Sequence, residues 1–443
     1  MNYLDQNWWN NVLEQTNQLT QPAVFKSAFP DQVTDLTKLS VDVLRELMVA
    51  KGLSAGFRIW VGDENNVISQ TPTKEYDQLM HENPPLADEA ITDWAKRVFG
   101  DRRFGIVLND GEMYSAEMNR RLAVLIRSLL DINGMPLTGV TTAYFVGNYG
   151  FTPFGIHQDQ VGENVFHFHL GPAPKTMYTW TDEIYKEISG VSNNPPTPEL
   201  LERADKFEFG AGDLFYMPWN RYHVGHTDEL SIGVTVWLNN PTPATFLRKI
   251  ARTILGEITP VRDAEIMKKT VLSSDKGLPG DLTVFEEIGP FVKLDDSMAD
   301  LSLQEFMHVS VENYRLSLFS NSGFTLLQAP AQLPWELLRG QHVRLVQPFR
   351  MYYTRFKTKL YIFIRGYKIE LKYHPELPGL IDALNTGSAY SVADLIRPLL
   401  TEWSENIGFQ IVNILLNHRA IETVDDLLAP QAAPALRSET VSA

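Results

Sequence analysis

Residues 144–180 read YFVGNYGFTPFGIHQDQVGENVFHFHLGPAPKTMYTW, and residues 207–238 read FEFGAGDLFYMPWNRYHVGHTDELSIGVTVWL. Five of the chain's ten histidines (His157, His167, His169, His223, His226) fall in this window. His157 and Asp159 stand two apart in an extended run with apolar neighbours. On a strand, residues i and i+2 point to the same face, so the imidazole and the carboxylate converge. His223 follows the turn-like Met217-Pro218-Trp219-Asn220-Arg221 and opens another apolar strand. Two imidazoles and one carboxylate, brought from separate strands, hold a metal and leave positions open.

Alternatives exist within the same window. His226 competes with His223 as third ligand, and the Met-Pro-x-x-x-Tyr lead-in favours His223. His167 and His169 form an HxH pair, ranked lower because no acidic residue follows at short spacing. If Asn164, Phe166 and Phe168 face a cavity, the period of two turns His167 and His169 away. Tyr144, just upstream, reads as a core tyrosine or a cosubstrate donor.

An isolated HxD is common by chance. The order of its neighbours is less so. Asn164 opens the strand after HxD, and Lys175 leads another after the turn 171–174. Gly212-Asp213-Leu214 then runs through Pro218 to Tyr222-His223 and the apolar Ser231 to Trp237. In this order the chain resembles the JmjC/cupin-like Fe(II)- and 2-oxoglutarate-dependent oxygenases over about 95 residues. The Thr152-Pro153 to His157 spacing is longer than usual there, and Pro172-Ala173-Pro174 enlarges the turn before Lys175.

The resemblance implies a double-stranded β-helix (jelly-roll, cupin-like) barrel with flanking helices, α+β in class. It implies iron held by His157, Asp159 and His223, with 2-oxoglutarate as cosubstrate. Lys175 matches the family's anchor for the distal carboxylate, while Tyr144, Thr152 and Asn164 match cosubstrate donors. The implied reaction is hydroxylation of a C–H bond, on a peptide or protein side chain rather than N-demethylation. Other classes stay open: a cupin-fold metalloenzyme without 2-oxoglutarate, or a non-catalytic binding or regulatory protein with a degenerate barrel.

The 443 residues suffice for two or three domains. The absence of cysteine excludes disulfides, thiolate metal sites and cysteine nucleophiles. No basic leader or membrane-length apolar run is visible, so a cytoplasmic location and no membrane partner are expected. A net charge of −15 repels phosphate backbones and argues against nucleic acid. Against that balance, residues 335–373 carry nine Lys/Arg and two Glu, a surface that docks an acidic peptide, packs on the chain's own acidic domain or is merely solvated. A homodimer is left open.

The pattern predicts helices over 1–20, 41–52, 87–99 and 112–133 and strands over 56–62 and 103–108, with 63–85 an exposed loop. A polar excursion covers 182–206, and Asn239 to Pro243 marks a boundary. Helices are expected over 245–255, 262–272 and 303–316. A hairpin around Arg365-Gly366 and helices over 375–384, 392–400 and 404–419 follow. The expected domains are an oxygenase domain over 1–240 (barrel core about 137–238), a helical spacer over 241–318, a winged-helix-like domain over 319–430 and a flexible tail over 431–443. The winged-helix reading rests on arrangement, as in ribosomal-oxygenase-type JmjC proteins.

Overall fold

The structure, a computed structural model, describes residues 4–49, 56–72, 74–258, 301–327 and 340–424. The expected helix over 262–272 and the tail over 431–443 lie outside the described residues. The chain divides into two compact units, Met1–Leu318 with Gly323–Thr325, and Phe319–Ser322 with Leu326–Ala443.

Among the described residues the first unit holds twelve strands: β1 (Ala23–Phe25), β2 (Phe57–Val61), β3 (Phe104–Asn109), β4 (Val140–Gly147), β5 (Gly150–Phe151), β6 (His157–Gln158), β7 (Glu163–Pro172), β8 (Lys175–Trp180), β9 (Asp205–Phe209), β10 (Leu214–Met217), β11 (Tyr222–Thr227) and β12 (Ser231–Asn239). They pair antiparallel into two sheets, β1-β10-β7-β12-β4-β3-β2 and β5-β11-β8-β9, with β6 on β11. This is a mixed fold of helices and antiparallel sheets, and among the described residues no closed barrel is found.

Register decides which side chains meet. In the larger sheet Arg58, Val107, Phe145 and Gly233 form one row across four strands. Asn109, Ala143, Thr235, His167 and Phe215 form the next, and Trp237, Val165 and Met217 a third. By the pleat, these rows share one face and their neighbours take the other.

The other face is sealed by helices. Gln6–Gln15 starts at Asp5, whose carboxylate accepts from Trp8 N. The buried Trp9 donates its indole N–H to Leu125 O and sets its ring edge-on to Phe166, 5.3 Å between centroids. Ala116–Asn133 is capped by Ser115 and buries Leu122, Leu125, Ile126 and Leu129 at helical spacing. Phe168 meets Phe29 on the same side. The aromatic residues of β7 therefore belong to the helix side, which fixes the phase of the whole strand.

Two expected irregular segments are ordered. Within 63–85 the chain forms a 3₁₀ turn, Lys74–Tyr76, and a helix, Asp77–Glu82, which buries Met80. Within 182–206 it forms helices Asp182–Ile188 and Pro198–Glu202, capped by the hydroxyls of Thr181 and Thr197. Tyr185 and Leu200 pack there on Trp180 and Tyr222, with Tyr185 stacked on Tyr222 at 4.0 Å. Polarity alone concealed these helices, because each is too short to show a repeated apolar period. The helix read over 41–52 starts earlier, at Val33.

Among the described residues the second unit holds two three-stranded sheets. One orders β13 (His342–Leu345) between β17 (Tyr390–Ser391) and β18 (Ile421–Thr423). The other is a meander of β14 (Tyr352–Phe356), β15 (Lys359–Ile364) and β16 (Tyr367–Lys372). Helices Leu377–Asn385, Val392–Ile396 and Glu405–Asn417 share their core. Arg365 and Gly366 form the β15–β16 turn with φ of 48° and 84°.

Much of the basic stretch is internally engaged. Arg344 pairs with Glu422 at 2.8 Å, and Lys359 with Glu370 at 2.5 Å. Arg365 is only 2% exposed, stacks on Phe349 and donates to Asn321 Oδ1.

Candidate metal centre

His223 on β11 lies directly across from His157 on β6 in the strand register. Their ring centroids are 4.3 Å apart. Nδ1 of His157 is 2.9 Å from Gly155 O, and Nδ1 of His223 is 3.2 Å from Arg221 O. A carbonyl only accepts, so these contacts put the ring proton on Nδ1 and leave the Nε2 lone pair free. The Asp159 side chain is only 4% exposed, and its Oδ2 finds no hydrogen-bond partner among the described residues.

One ligand atom from each of the three residues lies within 4.8 Å of the others, the only such group of three among the described residues. Burial lowers both imidazole pKa values, His223 to about 4, and the His157 ring feels the His223 ring as well. Burial raises the Asp159 carboxyl. The 3.9 Å approach of His157 Nε2 to Asp159 is therefore not an ion pair, since the imidazole is held neutral. Two neutral imidazoles and a buried carboxylate with an unpartnered oxygen form a donor set that a divalent cation completes. The residues fit an iron(II) ion.

The three groups line a cavity of about 410 Å³ whose floor is the inward face of the larger sheet and whose opposite wall is β8 and β11. Lys175 reaches into it from β8. It is 3% exposed, and no carboxylate among the described residues pairs with it. Its Nζ lies 4.7 Å from the Phe145 centroid and 5.6 Å from that of Tyr149. Burial alone pushes its pKa down to about 7. A cation kept in such a place without a counter-charge is a receptor for an anion.

Thr152 lines the cavity beside Lys175, with its Oγ1 held by the backbone N–H and O of Gly225. A Cβ at Gly225 would stand 2.8 Å from Lys175 Cε and 2.9 Å from Thr152 Oγ1. Gly225→Ala is expected to displace the lysine and cost about 1–3 kcal/mol, read as a lower urea midpoint.

The other sequence candidates lie elsewhere. Tyr144 faces the helix side, fully buried, its hydroxyl among Thr142, Glu112 and Asp110. Asn164 also faces away, its Oδ1 accepting from Tyr216 O–H at 3.0 Å. His226 sits on the outer face of β11 against Phe151, 4.5 Å between centroids, and near Asp228. His167, expected to point away, lines the cavity with Glu163 and Val165. The period of two holds on β7, but its phase is opposite, because Phe166 packs on Trp9. Sequence reading also missed Arg58, Asn109 and Asn193, which line the cavity. An arginine inside the apolar FRIWV run was the available signal for Arg58.

No family model matches the chain, and no curated protein matches it in sequence. Among solved structures, an X-ray structure of E. coli ycfD matches at a TM-score of 0.50 and 17% identity, covering 94% of this chain and 98% of that one. A structure of YcfD, a ribosomal oxygenase from Escherichia coli, in complex with cobalt and 2-oxoglutarate, matches at 0.44 and 16%, covering 94% and 98%. The first likeness shows the fold, which agrees with the resemblance drawn from the motifs. No helix among the described residues is long and apolar enough to cross a membrane.

Proposed function

We propose that this protein is an Fe(II)- and 2-oxoglutarate-dependent oxygenase that hydroxylates a C–H bond on a polypeptide side chain. The observation that carries the reading is one cavity holding both a donor set of two neutral imidazoles and a carboxylate and a buried, uncompensated lysine. In this reading His157, Asp159 and His223 hold the metal. Bound iron(II) supplies the activation of dioxygen that is coupled to decarboxylation of 2-oxoglutarate to succinate. Lys175 binds the distal carboxylate of 2-oxoglutarate, and Thr152 flanks it. Phe145, Phe154, Met177 and Trp237 keep bulk water from the reacting carbon.

The same reading takes the two sheets as a double-stranded β-helix of JmjC type and the second unit as a winged-helix-like domain. The polypeptide substrate is supported by the amide-rich lining, Gln158, Gln160 and Asn193. It also accords with the likeness to ycfD, a ribosomal oxygenase. The testing experiment is reconstitution with Fe(II) and 2-oxoglutarate under air. Succinate formation that depends on Fe(II) is the expected result. A protein that binds Fe(II) but yields no succinate with any peptide would return it to the metalloenzymes that do not use 2-oxoglutarate.

Lys175 also makes the binding step proton-linked. Its pKa near 7 leaves it neutral above that pH in the free protein. Pairing with a carboxylate raises the pKa, so 2-oxoglutarate binding takes up about one proton between pH 7 and the ordinary lysine value, and none well below 7. Titration calorimetry at about pH 8.5 in buffers of different ionisation enthalpy should show this uptake, and Lys175→Ala should remove it.

A further inference from the structure

We infer that Arg58 selects the substrate by binding a carboxylate side chain that lies near the oxidised residue. This rests on the oxygenase reading and extends it to the substrate's chemistry. Arg58 stands on β2, in the same inward row as Val107 and Phe145, and lines the cavity. Its Nη2 donates to Asn109 Oδ1 at 3.1 Å, while its buried Nε has no acceptor. The guanidinium lies 4.8 Å from the Phe154 ring centroid, and that ring meets His157 edge-on at 5.8 Å. The arginine is thus one aromatic ring away from the triad.

The charges of the cavity leave Arg58 as the one without a counter-charge. The charged lining groups besides it are Asp159, Glu163 and Lys175. Asp159 belongs to the metal and Lys175 to the cosubstrate. Glu163 accepts from Gln160 N at 3.2 Å and lies on β7, four strands from β2, up to about 19 Å away at ~4.8 Å per strand. No carboxylate among the described residues pairs with Arg58, and burial lowers its pKa.

Holding a guanidinium half-buried without a counter-ion is costly, and Asn109 relieves only one of its donors. A neutral carbonyl would fill a hydrogen bond and leave the charge uncompensated. A carboxylate does both, in the geometry the planar fork favours. The two ring distances together correspond to about three residues of extended chain at ~3.3 Å each. The carboxylate therefore belongs to a residue within about three positions of the one oxidised.

The test uses pools of capped pentapeptides that share randomised uncharged positions and differ at one fixed position, Glu, Gln or Lys. The readout is the succinate formed beyond the peptide-free rate by the full-length, iron-loaded protein. The Glu pool is expected to stimulate at least about tenfold more than the Gln pool, one charge-assisted hydrogen bond's worth. Arg58→Gln should abolish that ratio, Arg58→Lys should keep its direction, and Arg58→Glu should invert it toward the Lys pool. Circular dichroism and melting temperature establish that each variant is folded. Equal stimulation by the Glu and Gln pools, no stimulation by any pool, or a Glu preference that survives Arg58→Gln overturns the assignment. Loss of 2-oxoglutarate binding by the unmodified protein would instead overturn the oxygenase reading, and calorimetry without peptide measures that separately.

Discussion

His223→Ala is expected to remove Fe(II)-dependent succinate formation, while His226→Ala leaves it near the level of the unmodified protein. The two histidines stand three apart on one strand, so they point to opposite faces. His223 lies beside His157 on the cavity face, and His226 packs on Phe151 outside it. Removing an outer-shell partner of a metal site costs about 10–100-fold in affinity or activity, and loss of a ligand should exceed that. His157→Ala and Asp159→Ala should behave alike. The fold should survive, because these side chains line an existing cavity and their truncation opens no new sealed void. The checks are iron content, succinate yield and melting temperature. Full activity in His223→Ala with loss in His226→Ala would move the third ligand to the outer face.

Lys175→Met is expected to stabilise the protein and to disable it. Methionine keeps the volume and removes a charge that burial penalises. The sign follows from the pKa, which is about 7 in the fold against 10.5 unpaired. Between those values the unfolded chain binds the extra proton, so native stability rises with pH through that window. Below pH 7 the penalty is present in full. The variant should gain about 2–4 kcal/mol at about pH 6, as when other buried charges are replaced by apolar groups, and less at about pH 10. Urea midpoints at the two pH values measure this. The same change should weaken 2-oxoglutarate by about 2–4 kcal/mol, roughly 30- to 1,000-fold. An unchanged affinity would place the carboxylate anchor elsewhere.

The triad was legible because its signal is short-range. His157 and Asp159 share a face by the period of a strand, and His223 follows a lead-in whose residues can be read directly. The strand phase of β7 was not legible. Its residues 164–170 are apolar, aromatic or histidine on both faces after the first, so alternation carries no polarity and gives no direction. Trp9, far upstream, decides it by taking Phe166 on the helix side. That contact turns Asn164 away from the cavity and His167 into it. Tyr144 is turned out by the same register, carried through β12 to β4.

By itself the sequence determined the residue types of the candidate metal site, the lysine beside it and most of the helices and strands. These depend on local spacing, and local spacing is written in order along the chain. Only the tertiary structure decided which face each strand turns inward, that Lys175 is buried without a counter-charge, and that Arg58 shares its cavity. Those facts arise from pairing between strands far apart in sequence. Desolvation, which sets the charge state of every group in the cavity, exists only once that pairing has closed the site.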